Sequence, residues 1–499
     1  MHATNPVIYA DFPDPDVVRV GDCYYMVSTT MHMFPGAQIL RSYDLMHWEH
    51  CGYVYDTLGE TARQRMEGEG KPPHIYGKGM WAASLKHHGG RFHVVFTSND
   101  TGHSYHYTAE QAEGPWSRQK MTGAGGAPAF WYDPGLLFDD DGRVYVAHGN
   151  RTVRITELTA DLSAPKEGGL DRVVVVDDNP RLGWEGSHLI KHDGWYYLFC
   201  IHWRPDAMRA MGCFRAQTLD GVFEGGEFME LDLDDRRAGV AQGGPVQLHD
   251  GSWALFLFQD HGAVGRIPVV VPFRWADGWP VVDEVPKQLD LPSSRPDYEY
   301  APLYATGQLT RIPTSPLWQW NHEPHSALVD TTHGLRITTD RLATNCTEAI
   351  NTLTQRCFGP RCEAGVCLHP EDMKIGDYAG ICALMGCFAQ LAVTRREDGL
   401  YLVYTRRDAD TGEIITEAEC PLGGVSRLHA RFDFTSDTVQ FILADADAGR
   451  LEFGPPHQLV YRLDHFMGCR VGLFMYSTQE PGGSVRFTGF TYHVEEEQV

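Results

Sequence analysis

One local pattern of polar and apolar positions recurs five times in the first half of the chain: a polar turn with Gly, then an aromatic or β-branched run. The copies are GDCYYMVST from Gly21, GGRFHVVFT from Gly89, DGRVYVAHG from Asp141, DGWYYLFCIH from Asp193 and DGSWALFLFQ from Asp250. Each reads as a turn feeding a β-strand. They begin 68, 52, 52 and 57 residues apart, roughly the length of a four-stranded sheet with its loops. Several copies are followed by a segment with a Trp near a turn, as in SYDLMHWE around Trp48 and GPWS around Trp116. No helical periodicity lies between the units. The pattern predicts an all-β chain that begins with a five-bladed β-propeller over residues 1–300. A large β-sandwich with coincidental spacing is the competing arrangement.

From Pro286 to Trp318 the pattern changes, and six prolines punctuate the stretch. Proline stiffens the chain and removes ladder donors, so an ordered connector is expected, placed at residues 301–317. Short alternating strands follow, such as LYLVYT, TVQFILAD, VGLFMYS and VRFTGFTYHV. They predict an antiparallel β-sandwich over 318–499.

Composition narrows the function classes. With 42% hydrophobic and 22% charged residues the chain is of globular type, and its 11% aromatic content suits β structure and flat faces on which sugars stack. A formal net charge of −24 repels phosphate backbones and argues against nucleic acid. No run of about 18 apolar residues is present, which argues against a membrane span. The N-terminus, MHATNPVIYADFPDPD, shows neither a basic n-region nor an apolar h-region. A cytoplasmic location is therefore expected, with the twelve cysteines as reduced thiols. Cys357, Cys362 and Cys367 are spaced by five, which on a strand puts neighbours on opposite faces and argues against zinc.

Three carboxylates stand out by their setting. Asp14 lies between Pro13 and Pro15, which restrict the backbone on both sides and bias Asp14 towards an extended conformation. Asp11 and Asp16 are its chemical equals, so composition does not choose among them. Asp133, in WYDPGLLFDDDGRVYV, also precedes a proline and a strand, while Asp139, Asp140 and Asp141 read as a solvated turn. Glu185, in WEGSHLIKHDGWYYLF, sits between Trp184 and Gly186 just ahead of an apolar strand. Desolvation there would raise its pKa. In a propeller the three would converge at one end of the central channel. A protonated carboxyl beside an ionised one is the equipment for glycosidic hydrolysis, and a third carboxylate can position and tune the acid.

Other signals weaken on inspection. GAGGAP, from Gly123 to Pro128, lacks the Lys-Ser/Thr of a phosphate loop. HEPH, from His322 to His325, contains Pro324, which forbids the helix a zinc motif needs. No Gly-x-Ser-x-Gly elbow occurs. His261 in QDHGAVGRIP is a candidate channel-lining residue, to be weighed against a hydrogen-bonded core histidine.

Taken in order, NPVIYADFPDPD, WAASL, WYDPGLLFDDDG, EGSHLIK, AQGGPV, FQDHGAVGRIP and DGWP resemble glycoside hydrolase family 43, five-bladed propeller enzymes acting on arabinose- and xylose-containing glycans. WQWNH, NTLTQR and MKIGDYAGI are similar to the sandwich domain appended in its long members. The resemblance implies Asp14 as general base, Glu185 as general acid, and Asp133 as the residue that orients the acid and modulates its pKa. It implies Arg266 as a contact to sugar hydroxyls, Trp81 and Phe34 as apolar walls of the −1 subsite, which holds the sugar whose glycosidic bond is cleaved, and a substrate-binding place for His261. The implied activity is inverting, exo-acting release of terminal α-L-arabinofuranosyl or β-D-xylosyl residues from hemicellulose oligosaccharides. A non-catalytic glycan-binding propeller is the alternative, and a homo-oligomer is left open. No cofactor is required. Many relatives carry His before the Gly-Gly of the fifth blade, often beside a channel metal; this chain has Gln242, which puts a structural calcium in doubt and leaves His261 as a substitute ligand or water alone as the alternatives.

Overall fold

Each of the five turn-and-run repeats becomes the second strand of its own four-stranded antiparallel sheet in the computed structural model, which describes residues 2–70, 72–307, 309–310, 316–423, 426–445 and 449–495. The sheets span 16–55, 80–120, 135–176, 182–229 and 240–281 and are numbered here blades 1 to 5. Separate sheets, and not one sandwich, make this half a five-bladed propeller. The innermost strands are Asp16–Val20, Met80–His88, Gly135–Phe138, Leu182–His192 and Val240–Gln247, and each touches the next in a closed ring. Aromatic side chains of the second strands, including Tyr24, Phe96, Tyr145, Phe199 and Phe256, are fully buried. Apolar burial of this kind contributes about 25 cal/mol per Å² and fastens blade to blade. Among the described residues the helical pieces are short 3₁₀ turns, and no helix is long and apolar enough to cross a membrane.

Every blade is continuous in sequence, so the ring is closed by the N-terminal segment. His2–Thr4 pairs with Gln288–Asp290, and the Asn5 side chain donates to the carbonyls of Val270 and Pro286 at 2.8 Å each. Further along, Phe12 N–H donates to the Arg266 carbonyl. This clasp lays the segment carrying Asp14 along blade 5.

The C-terminal half is a β-sandwich of two eight-stranded sheets, and the four runs expected as strands lie in Gly399–Arg407, Thr438–Asp445, Arg470–Ser477 and Ser484–Glu495. Its first sheet ends on Met33–Phe34, a piece of blade 1 that pairs with Gln319–Asn321. One continuous apolar core joins Trp48 and Phe256 of the propeller to Trp318 and Trp320. Arg470 is fully buried at this seam, donating to Thr354 and Gln319, and burial pushes its pKa down to about 9. Part of the expected connector, residues 308 and 311–315, lies outside the described residues.

Two expectations are corrected here. Asp139 is buried, accepting from Lys191 Nζ at 2.7 Å and Tyr196 OH at 2.6 Å, so only Asp140 and Asp141 form the solvated turn. All twelve cysteines are free thiols. Cys357, however, lies outside the strand Arg361–His369, and the turn at Gly359–Pro360 folds it back against Cys362 and Cys469. The opposite-face argument assumed a continuous strand. Among the described residues no three His, Cys, Asp or Glu side chains are grouped to hold a metal ion.

Candidate active site

The site is built where the alternation of the inner strands breaks. Asp14 and Asp133 precede the innermost strands of blades 1 and 3 with φ of 50° and 47°. The left-handed region is one that aspartate tolerates better than most residues. The extended conformation expected before Pro15 is therefore overruled by tertiary hydrogen bonds: the Pro13 carbonyl accepts from Thr29 N–H and from Ser28 Oγ at 2.8 Å. In blade 4 the register shifts on both sides of Glu185, and Gly186 has φ 65°. Glu185 thus lies at a bulge inside the strand, not ahead of it. Blades 2 and 5 shift register at Trp81/Ala83 and Ala241/Gly244. Bulges re-aim side chains, and here they turn them to one end of the axis.

Asp14, Asp133 and Glu185 come together with Arg266, as the sequence predicted. Arg266 Nη1 donates to Asp14 Oδ1 at 2.8 Å, and both side chains are buried. Asp133 Oδ2 accepts the Gly186 N–H at 3.1 Å, so it braces the backbone that carries Glu185. Glu185 Oε2 accepts from Asn150 Nδ2. Burial is the main force raising the Glu185 pKa to about 7; Arg209 opposes it and the Asp14 charge adds to it. Asp133 is pushed well above the usual range by burial and then by the charges of Glu185 and Asp14. Neighbouring carboxylates in a low dielectric cannot all ionise, so this cluster retains a proton near neutrality. Trp184 is not what dries Glu185. Its indole faces the other way, stacking on His202 at 3.7 Å, while Tyr132 and Asn150 stand at the carboxyl.

The remaining predicted residues separate. Trp81 joins the site, edge-on to Tyr132 at 5.9 Å and to Phe466 at 5.8 Å. Phe34 is 1% exposed in the core of blades 1 and 2, with its backbone paired to Trp320, and presents no open face to a ligand. His261 bonds Asp234 at 3.2 Å and contacts Tyr9 OH at 3.5 Å. The axial cavity, about 10 Å³ and room for one water at most, is lined by His188 and Gln242 together with Asp14 and Asp133, not by His261.

Several residues that shape the site carried no distinguishing sequence signal. Phe466 reaches over from a sandwich loop, its ring 4.8 Å from the Arg266 guanidinium and its carbonyl accepting from Arg266 Nη2. Asp11, indistinguishable from Asp14 by composition, is structural: it accepts from Arg266 N–H at 2.8 Å and from Gly468 N–H of the same loop at 2.9 Å. Its carbonyl accepts from Arg356 Nε at 2.7 Å. The Asp14 segment is therefore held between blade 5 and the sandwich. Asp16 points elsewhere, to Lys86 and His188; burial raises its pKa, but those partners outweigh it and hold the carboxyl well below the usual range.

Both halves of the chain resemble known proteins. The model of "Glycosyl hydrolases family 43" matches residues 3–280, and that of "Beta xylosidase C-terminal Concanavalin A-like domain" matches 313–493. A β-xylosidase of Formosa agariphila is 25% identical over 98% of this chain and 90% of its own length. A xylosidase/arabinosidase of Butyrivibrio fibrisolvens is 28% identical over 59% of this chain and 60% of its own. Among solved structures, a bifunctional GH43-CE protein of Bacteroides eggerthii superposes with a TM-score of 0.90 at 37% identity. That superposition covers 99% of this chain, which spans 64% of the longer protein. The match over more than half of the residues, seated on a propeller with three carboxyl groups at its axis, places this chain in glycosyl hydrolase family 43.

Proposed function

We propose that this glycosidase releases single terminal α-L-arabinofuranosyl or β-D-xylosyl residues from hemicellulose oligosaccharides with inversion. Glu185 protonates the glycosidic oxygen, and Asp14 takes a proton from the water that attacks the anomeric carbon from the opposite face. Asp133 positions the acid through the Gly186 N–H. The observation that carries this reading is a buried carboxyl poised near pH 7 beside a carboxylate ion-paired to a buried arginine. The names of the relatives support pentosides as substrates, and the sandwich loop that carries Phe466 over Arg266 favours an exo pocket.

The test is direct. Purified protein should hydrolyse the 4-nitrophenyl α-L-arabinofuranoside, the β-D-xyloside or both, and proton NMR in the first minutes should show the inverted anomer. A retained anomer refutes the assignment of Asp14 as base, and absence of release from both glycosides and from oligosaccharides favours the binding-only alternative.

Phe466 supplies a second check. Its ring covers the Arg266 cation, a contact worth about 1–2 kcal/mol when desolvated. Phe466→Ala is expected to raise KM on the aryl pentoside about tenfold, with kcat changed less. Unchanged steady-state constants would show that the loop does not enclose the bound sugar.

No step needs a metal. The axis offers a neutral amide at Gln242, and His188 is already engaged with Asp16. Calcium takes six to eight oxygen ligands, waters included; Asp14 is ion-paired to Arg266, Asp133 holds the Gly186 N–H, and an axial cavity of about 10 Å³ has no room for the waters that would complete the shell.

A further inference from the structure

In blade 3 the turn of Gly149, Asn150 and Arg151, between the strands Val144–His148 and Thr152–Leu158, is held by more than its own hairpin. Gly149 has φ 128°, and a side chain there would put its Cβ 2.1 Å from the Thr152 carbonyl oxygen. Arg151 has φ 62°, a left-handed conformation uncommon for so large a residue. Backbone of this kind persists where surrounding contacts over-determine it. Here they do. Gly149 N–H donates to the Tyr132 carbonyl at 2.9 Å, and Arg151 N–H donates to the Trp184 carbonyl at 3.0 Å. The Arg151 carbonyl accepts from Asp177 N–H at 2.8 Å, and its guanidinium donates to the carbonyls of Asn179 and Pro180.

Tyr132 precedes Asp133 and Trp184 precedes Glu185, so Asn150 is suspended between the segments that carry two of the three carboxyls. Asn150 is an exposed residue, yet its amide turns inward and Nδ2 donates to Oε2 of the buried Glu185. An N–H donor bonds an oxygen that carries no proton. With Oε2 taken by the amide, the proton of the un-ionised acid belongs on Oε1. The same bond favours the ionised form and so restrains the rise in pKa that burial causes. Asp133 braces the backbone of the next residue, a contact that does not choose between the two oxygens.

We propose that Asn150 is a positioning residue for the general acid: its amide fixes the plane of the Glu185 carboxyl and leaves Oε1 to deliver the proton to the glycosidic oxygen. The inference rests on the glycosidase reading above. Asn150 acts through the acid and is not itself a proton donor. The other titratable and charged groups facing this carboxyl are Asp14, Asp133, Arg209 and the Tyr132 phenol. The bonds that hold the turn are made by its backbone and by Arg151, so a change of the Asn150 side chain leaves them in place.

The experiment follows kcat/KM against pH for wild type, Asn150→Ala and Asn150→Asp. The substrates are xylobiose or 1,5-α-L-arabinobiose, whichever wild type cleaves faster, and the 4-nitrophenyl glycoside of the same sugar. At about pH 6, below the titration of Glu185 at about 7, Asn150→Ala should lose about tenfold on the disaccharide. The aryl glycoside, whose leaving group needs little help from an acid, should stay within about twofold. On the disaccharide the alkaline limb of Asn150→Ala should move up by about one pH unit, because a donor to the ionised form is gone. Asn150→Asp keeps the shape but sets a second carboxyl against the first, so its limb should move further up. A residue that only shaped the turn would leave the limb where it is. A limb that stays or moves down in Asn150→Ala, equal losses on both substrates, or an Asn150→Asp profile identical to wild type would each overturn the assignment. A wild type that cleaves neither substrate would instead sink the glycosidase reading itself.

Discussion

Glu185→Gln is expected to act in two opposite directions, lowering turnover of oligosaccharides by about 10²–10⁴-fold while making the folded protein more stable above pH 7. The first effect follows from the acid's task. A sugar leaving group departs poorly without a proton, whereas a nitrophenolate needs none, so the loss on the aryl glycoside should be smaller by at least an order of magnitude. The second follows from linkage. Burial raises this carboxyl from 4.5 to about 7, so the folded state holds the proton more tightly than the unfolded chain does. Stability from that proton is complete below the unfolded value and is lost as pH rises through about 7. Above that, ionised Glu185 destabilises the fold by about 3 kcal/mol, at about 1.4 kcal/mol per pKa unit. Glutamine cannot ionise, and Asn150 can turn its amide to suit the new partner. Calorimetry at pH 5 and pH 8 should show a melting-temperature gain for the variant at the higher pH only. Full turnover of oligosaccharides by Glu185→Gln would remove Glu185 from the acid's role. A variant less stable than wild type at pH 8 would show that the buried charge is better accommodated than its setting indicates.

What could be read from the chain and what could not divide along physical lines. The propeller was legible because its repeats are local: a Gly-containing turn and an alternating run specify a hairpin with no help from distant residues. The carboxylates of PDP, YDP and EGSH were legible for a related reason, since each lies within a few residues of the strand that carries it. The conformations of Asp14 and Glu185 were not legible, because hydrogen bonds from Ser28 and Thr29 and a two-sided register shift override the local preference. Asp139 illustrates the same limit: its turn looks solvated until Lys191 and Tyr196 of the next blade cover it. Phe466 and Arg356 lie hundreds of residues from the groups they touch, and in sequence they are ordinary sandwich residues. The Cys357–Cys362 spacing misled because it was read as strand where the backbone turns. Local order fixes which carboxylates reach the axis, and contact with the sandwich fixes how tightly they are held.

That dependence on the sandwich leads to an expected acid lability of the seam between the halves. His32 from blade 1, His322 from the start of the sandwich and His465 from the loop beside Phe466 are buried in one cluster. The His322 and His465 rings lie 5.1 and 5.0 Å from His32, and Tyr76 packs against all three. Burial above all, then the neighbouring imidazoles and Arg470, holds His32 and His322 well below 6.5 and His465 at about 3. His74 at the rim is also lowered, with Glu348 only partly opposing. The folded cluster therefore stays neutral while the unfolded chain takes up protons below pH 6.5. Its contribution to stability is intact above that value and drains away as pH falls, by about 1.4 kcal/mol per pH unit for each ring, or about 4 kcal/mol for the three. Against a typical total of about 5–15 kcal/mol, acidification to pH 5 should lower the urea midpoint steeply. His32→Phe keeps an aromatic ring and removes one titration, so it should recover about a third of that loss while leaving the midpoint at pH 7.5 little changed. A profile that is flat from pH 7.5 to 5, or a variant as acid-sensitive as wild type, would show that the cluster takes up protons without opening. Because His465 adjoins Phe466 in the chain, the seam and the lid over Arg266 share one loop, and activity should fail in acid together with the seam, ahead of the propeller's own unfolding.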